Sequence, residues 1–114
     1  MFSQNDISGL FNITRIHYSG GGDWYSNPSS IPNLLSFIKN NTNIQVSTEE
    51  IRSKIGDDAF YSNNYYYMTG HGNIKFSDKE VNILRKRLLN DAFLHADDNY
   101  GMDPSFRREF KKIF

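Results

Sequence analysis

The stretch Tyr65-Tyr66-Tyr67-Met68-Thr69, closed by Gly70-His71-Gly72, decides the fold. A continuous run of large residues, with no alternation of polar and apolar positions, reads as a strand covered on both faces. That is the pattern of a parallel sheet rather than of a half-solvated antiparallel one. Just beyond it, Ser77-Asp78-Lys79-Glu80 has the spacing of a capping box, in which each end residue bonds the other's backbone N–H. The helix it opens carries Val81, Leu84 and Leu88 on one face, with Arg85, Lys86 and Arg87 largely elsewhere, near its C-terminal half. Ala92 to Ala96 (AFLHA) then reads as a strand running into Asp97-Asp98.

Upstream, Leu10 to Tyr18 (LFNITRIHY) is rich in β-branched and aromatic residues, and Gly20-Gly21-Gly22 stops it, so it predicts a first strand. Ser29-Ser30, Pro32 and the stripe Ile31, Leu34, Leu35, Ile38 predict a helix that ends at Asn40-Asn41. Asn43 to Val46 reads as a short strand. Ser47 to Ile55 is ambiguous, because Ser47 and Glu50 have capping-box spacing but too few apolar residues follow to define a helix. Asp103-Pro104 starts a last helix with Phe106, Phe110, Ile113 and Phe114 on one side. Alternating strands and helices imply a parallel sheet with right-handed crossovers, and ligands in such sheets sit beyond the carboxyl ends of the strands.

Composition sets the outer limits. The 114 residues suit one domain (1–114) that buries roughly two-thirds of its unfolded surface. With 13 Lys plus Arg against 13 Asp plus Glu, no general electrostatic affinity for nucleic acid or anionic membrane is expected. The absence of Cys removes disulfides, thiolate metal sites and a cysteine nucleophile. No apolar run is long enough to span a membrane. Met1 to Asp6 lacks the basic and apolar parts of an export signal, which predicts a cytoplasmic protein. Thirteen Asn residues are scattered among loops, where Asn tolerates turn geometry.

Three loops are expected to meet at the strand ends: Ser19 to Trp24, Gly70 to Asn73 and Asp97 to Gly101. Gly20-Gly21-Gly22-Asp23-Trp24 fails the dinucleotide pattern, since Tyr25 stands where a third glycine is needed, and Asp23 would repel a phosphate. It serves better as a turn or a ligand-facing loop. His71 between glycines lacks steric cover and could act as base, donor or metal ligand, or bond its own turn. Asp97 and Asp98 point to opposite faces of their strand. With Asp23 and His71 they would suit Mg²⁺ or Mn²⁺; otherwise they cap the turn Asn99-Tyr100-Gly101. His17 and His95 read as strand residues, Tyr65-Tyr66-Tyr67 as packing, and Arg107, Arg108, Lys111, Lys112 as a solvated face.

The segments IHYSGGGDWYSNPSSIPNLLSFI (16–38), YYYMTGHGNIKFSDKEV (65–81), LRKRLLN (84–90) and FLHADDNYGMDPSFRREFKKIF (93–114) resemble an uncharacterised bacterial family, domain of unknown function 4159. The resemblance implies a flavodoxin-like three-layer α/β/α fold of the class I glutamine amidotransferase-like type, and no established activity. It also implies a C-terminally truncated copy, because family domains continue past the point matching Phe114, and members often carry an export signal. The family tends to have Gly-Gly where this chain has Asp91-Ala92, which questions the tight turn before the fourth strand. Glutamine hydrolysis needs a Cys that the chain lacks. The leading expectation is a noncatalytic amidotransferase-like domain binding a small polar ligand, such as a carbohydrate, through Gly21, Gly22, Asp23, Trp24, His71, Asp97 and Asn99. The alternatives are a metal-assisted hydrolase, with Asp23, Asp97 and Asp98 as ligands and His71 or Asp98 in catalysis, and a module that binds a protein partner.

Overall fold

A strand apolar on both faces has to lie inside a sheet, and β3 (Tyr65–His71) does. The computed structural model describes residues 10–47 and 49–114, apart from the side chains of residues 98–100. The segment read for an export signal lies outside the described residues. Along the chain come β1 (Thr14–Ile16), α1 (Ser30–Asn41), β2 (Ile51–Ser53), a 3-10 turn (Asp58–Ser62), β3, α2 (Asp78–Leu89), β4 (Phe93–Tyr100) and α3 (Asp103–Phe110). The sheet order is β2-β1-β3-β4, and all neighbours are parallel. This is the flavodoxin-like order, in which the chain first winds outward from β1 to β2 and then, from β3, winds the opposite way.

Consecutive tyrosines divide the core because successive strand residues face opposite sides. Tyr67 packs with Ile13, Ile31 and Leu35, which seats α1 on one face. Tyr66 and Met68 pack with Ile16, Phe60, Val81, Leu84, Met102 and Ile113, which seats α2 and α3 on the other. Fully burying each such side chain contributes on the order of 1.5–3 kcal/mol. The result is an α/β/α arrangement with one helix over one face and two over the other. Among the described residues, no helix is long and apolar enough to cross a membrane.

The capping box before α2 forms as read: the Glu80 N–H donates to Ser77 Oγ and the Ser77 N–H to Glu80 Oε1. Three readings need correction. Asn43 to Val46 is not a strand; only Val46 bridges Phe11, and the second strand is Ile51–Ser53, inside the ambiguous segment. The Ser47–Glu50 spacing caps no helix, because the Glu50 carboxylate is drawn inward by Arg15. Asp97 and Asp98 do not lie in a loop either, since β4 runs through them to Tyr100, paired with β3 across a bulge at Gly70/His71. The questioned turn before β4 does form. Asp91 takes the left-handed conformation (φ 69°) that Asp tolerates better than most residues, and its carbonyl accepts from Asn64 Nδ2.

α3 is held down by one carboxylate. Glu109 is 1 % exposed and accepts from the Phe76 backbone N–H, Arg108 Nε and Lys112 Nζ. So Arg108 and Lys112, exposed as read, also grip a buried partner, while Arg107 pairs with Asp103. Burial alone would push the Glu109 carboxyl up. The three donors outweigh it and hold the group at about 2, below its ordinary 4.5. A depressed carboxylate stabilises the fold above its unfolded pKa, and that contribution is lost as pH falls through the folded value. Chemical denaturation should therefore show up to about 3 kcal/mol of stability disappearing between pH 4.5 and 2. Glu109→Gln should be less stable at neutral pH and should lack most of that acid-dependent loss.

Candidate functional site

In a sheet of this order the winding direction reverses between β1 and β3, and the region beyond their carboxyl ends is where this topology generally places a ligand. The two loops there are the glycine loop after β1 and the Gly-His-Gly segment ending β3. Backbone bonds stitch them together: Gly22 N–H to Asn73 O, Asp23 N–H to His71 O and Lys75 N–H to Ser19 O, at 2.9, 3.3 and 2.8 Å. Asn73 Nδ2 adds a bond to Gly20 O. The third loop approaches more loosely; a Cβ on Gly101 would lie 3.9 Å from the Gly72 nitrogen.

Between these two loops, Asp23 takes hold of His71 twice. One carboxylate oxygen accepts the His71 backbone N–H, and the other lies 2.8 Å from Nδ1 of the imidazole. The backbone bond first, and the ring second, lower the Asp23 pKa below the usual carboxylate range, so Asp23 is ionised at neutral pH. An ionised acceptor at Nδ1 keeps the proton on that nitrogen and leaves Nε2 of a neutral ring with its lone pair outward. The His71 side chain is 55 % exposed, so this lone pair is open to a ligand.

Gly70 makes the pairing possible. Its φ of 147° is one that side-chain-bearing residues rarely adopt, and a Cβ there would run into the Tyr18 hydroxyl and come within 2.8 Å of the Asp23 carbonyl. Gly22 is crowded too, with a Cβ falling 2.7 Å from Asn73 O and 2.8 Å from the Tyr18 ring. Tyr18 fills the space beneath, donating to Thr69 O at 3.0 Å. Burial first, and the Asp23 charge second, push its hydroxyl up to about 12, so it stays a neutral donor.

The far side of the Asp23 loop is fixed by a residue that the sequence reading passed over. Arg15, in the middle of β1, is completely buried. Nε pairs with Glu50 at 2.9 Å; Nη1 donates to the carbonyls of Trp24 (3.2 Å) and Ser26 (2.6 Å); Nη2 donates to Asn27 O (2.9 Å) and Ser30 Oγ (3.4 Å). All five guanidinium protons are used. The available signal was a lone charge inside LFNITRIHY, a strand whose other residues demand burial.

The remaining candidates are spread out. Trp24 has one face stacked on His17, 4.0 Å between ring centroids, so at most its other face is available to a ligand. Gly21 is open on its Cβ side. Asp97 is exposed and accepts from the Tyr67 hydroxyl at 3.3 Å. It lines a recess with Ser30, Ile31, Leu34, Tyr67 and His95, none of which belongs to the glycine loops. The side chains of Asp98 and Asn99 lie outside the described residues. Among the described residues no three carboxylates or imidazoles gather closely enough to hold a metal ion, and both Asp23 oxygens are engaged by His71.

Two substitutions test this architecture. Gly70→Ala should cost roughly 2–3 kcal/mol in denaturant unfolding and loosen the Asp23–His71 pair, seen as loss of the imidazole Nδ1–H resonance. Arg15→Met, which removes the buried donor to Glu50 and to the carbonyls of Trp24, Ser26 and Asn27, should cost about 3 kcal/mol or more.

A comparison with curated proteins finds no significant match. The family model described as domain of unknown function (DUF4159) matches residues 12–114. With the glycine loop, the Gly-His-Gly segment and the helices α1, α2 and α3 inside that span, the chain belongs to this family.

Proposed function

We propose that this is an amidotransferase-like domain, without a cysteine nucleophile, that binds a small polar ligand such as a carbohydrate beyond the carboxyl ends of β1 and β3. The observation that carries the reading is the Asp23–His71 pair, which holds an exposed imidazole with Nε2 as a fixed hydrogen-bond acceptor. A ligand hydroxyl is the natural donor to it. Gly21 and Gly22 keep backbone rather than side chains along the approach, and the outer face of Trp24 offers an apolar surface for a sugar ring.

Imidazole ¹H–¹⁵N spectra, recorded while the chain is titrated with a panel of mono- and disaccharides, test this. A saturable shift of His71 Nε2 is expected with at least one of them. Binding should fall at least tenfold in His71→Ala and, through loss of the fixed tautomer, also in Asp23→Asn. A His71 ring that no saccharide shifts would overturn the proposal.

The same pair also favours a second reading, hydrolysis, because an imidazole fixed by a carboxylate at Nδ1 is placed to take a proton from water at Nε2. In a metal-assisted version Asp23 would have to exchange its bonds to His71 for the cation. Thermal unfolding with and without Mn²⁺ separates the two. On the binding reading the midpoint stays unchanged, whereas a site held at a hundredfold excess over Kd would add about 2.7 kcal/mol and move it several degrees toward the hydrolase.

A further inference from the structure

The recess on the α1 side of the sheet, about 180 Å³ in volume, is lined by Ser30, Ile31, Leu34, Tyr67, His95 and Asp97. Its lining has an electrostatic imbalance. The Asp97 carboxylate meets only the neutral Tyr67 hydroxyl, and no Lys, Arg or His of the described residues pairs with it. Arg15 lies 5.4 Å from the Tyr67 ring centroid, but its charge is matched by Glu50 and its five protons are spent. His95 has Nδ1 at 3.2 Å from the Tyr65 hydroxyl and its ring edge-on to Tyr67, 5.1 Å between centroids. The opposite wall, Ile31 and Leu34, is aliphatic.

An uncompensated carboxylate, two ring systems and an aliphatic wall around a small recess match one ligand chemistry: an ammonium group on a short apolar arm. The ammonium would meet the Asp97 charge and donate to its carboxylate, while the arm would lie between the rings and α1. A neutral hydroxyl would satisfy the hydrogen bonding but leave the charge. We infer that this recess is a binding site for a small primary amine, with Asp97 as its counter-ion and Tyr67 and His95 as its aromatic walls. The inference is independent of the reading of His71, since none of the recess residues belongs to the glycine loops.

Benzylamine and its neutral counterpart, benzyl alcohol, are suitable probes, titrated into the isotopically labelled 114-residue chain. Benzylamine should produce saturable NMR shifts at Ile31, Leu34, Tyr67, His95 and Asp97, and benzyl alcohol should bind at least tenfold more weakly. Asp97→Asn should weaken the amine at least tenfold, whereas Asp23→Asn should leave it unchanged. Equal affinity for the alcohol, undiminished affinity in Asp97→Asn, or shifts confined to other parts of the molecule would each overturn the assignment. The amine–alcohol comparison needs no variant, so it decides the matter even if Asp97→Asn folds poorly.

Discussion

A guanidinium buried in the middle of a three-residue strand has to find every one of its hydrogen bonds inside the protein, and Arg15 finds them in the loop that leads into α1. Its charge is met by Glu50, just before β2, and its other protons go to Trp24, Ser26, Asn27 and Ser30. The cost of leaving such a group unpaired is several kcal/mol, so the loop has essentially one acceptable path. That path starts at Asp23. Fixing residues 24–30 from below, while Gly22 and Asp23 are stitched to Asn73 and His71 from the side, leaves the Asp23 carboxylate little choice but to face β3. Tyr67, whose ring lies against the same guanidinium, joins this interaction to the α1 side of the sheet.

The strand-end loops and the recess therefore share an anchor but differ in chemistry. At the strand ends, a carboxylate is used internally to orient an imidazole, and the group presented outward is the other side of that ring. Beneath α1, a carboxylate has no such employment and is itself presented. The same residue type thus stands in two different settings, one bonded to an imidazole and one to a phenol. What separates them is whether a His N–H stands within hydrogen-bond reach.

Glycine decides the first of these arrangements by absence. The Tyr18 hydroxyl and the Asp23 backbone occupy the volume that a β-carbon on residue 70 would need. β3 can therefore pack large residues on both faces up to Thr69 and then, one residue later, let the neighbouring loop close over its end. The bulge between Gly70 and His71 marks the point where pairing with β4 adjusts to this change.

Much of this was legible in the chain. The unalternating run at Tyr65–Thr69, the Ser77–Glu80 capping box and the stripe in α1 are local patterns, and local patterns report burial and helix starts without any knowledge of partners. They were enough for a parallel α/β sheet, for two of the three loops expected at its strand ends, and for Asp23 and His71 as candidates. The extent of β4 was not legible, because Asp97-Asp98 and Asn99 are poor strand formers that hold the conformation through pairing with β3. Nor was the position of β2, whose three residues carry too little pattern to outweigh the capping-box spacing at Ser47. Above all, the sequence could not say which charge meets which. Arg15 with Glu50 and Asp23 with His71 are 35 and 48 residues apart, and long-range pairing of that kind is set by how strands are ordered in the sheet. Periodicity along the chain determined the elements and their inward faces; the order β2-β1-β3-β4 alone decided that a buried arginine, a glycine loop and a histidine would converge at one end of the sheet.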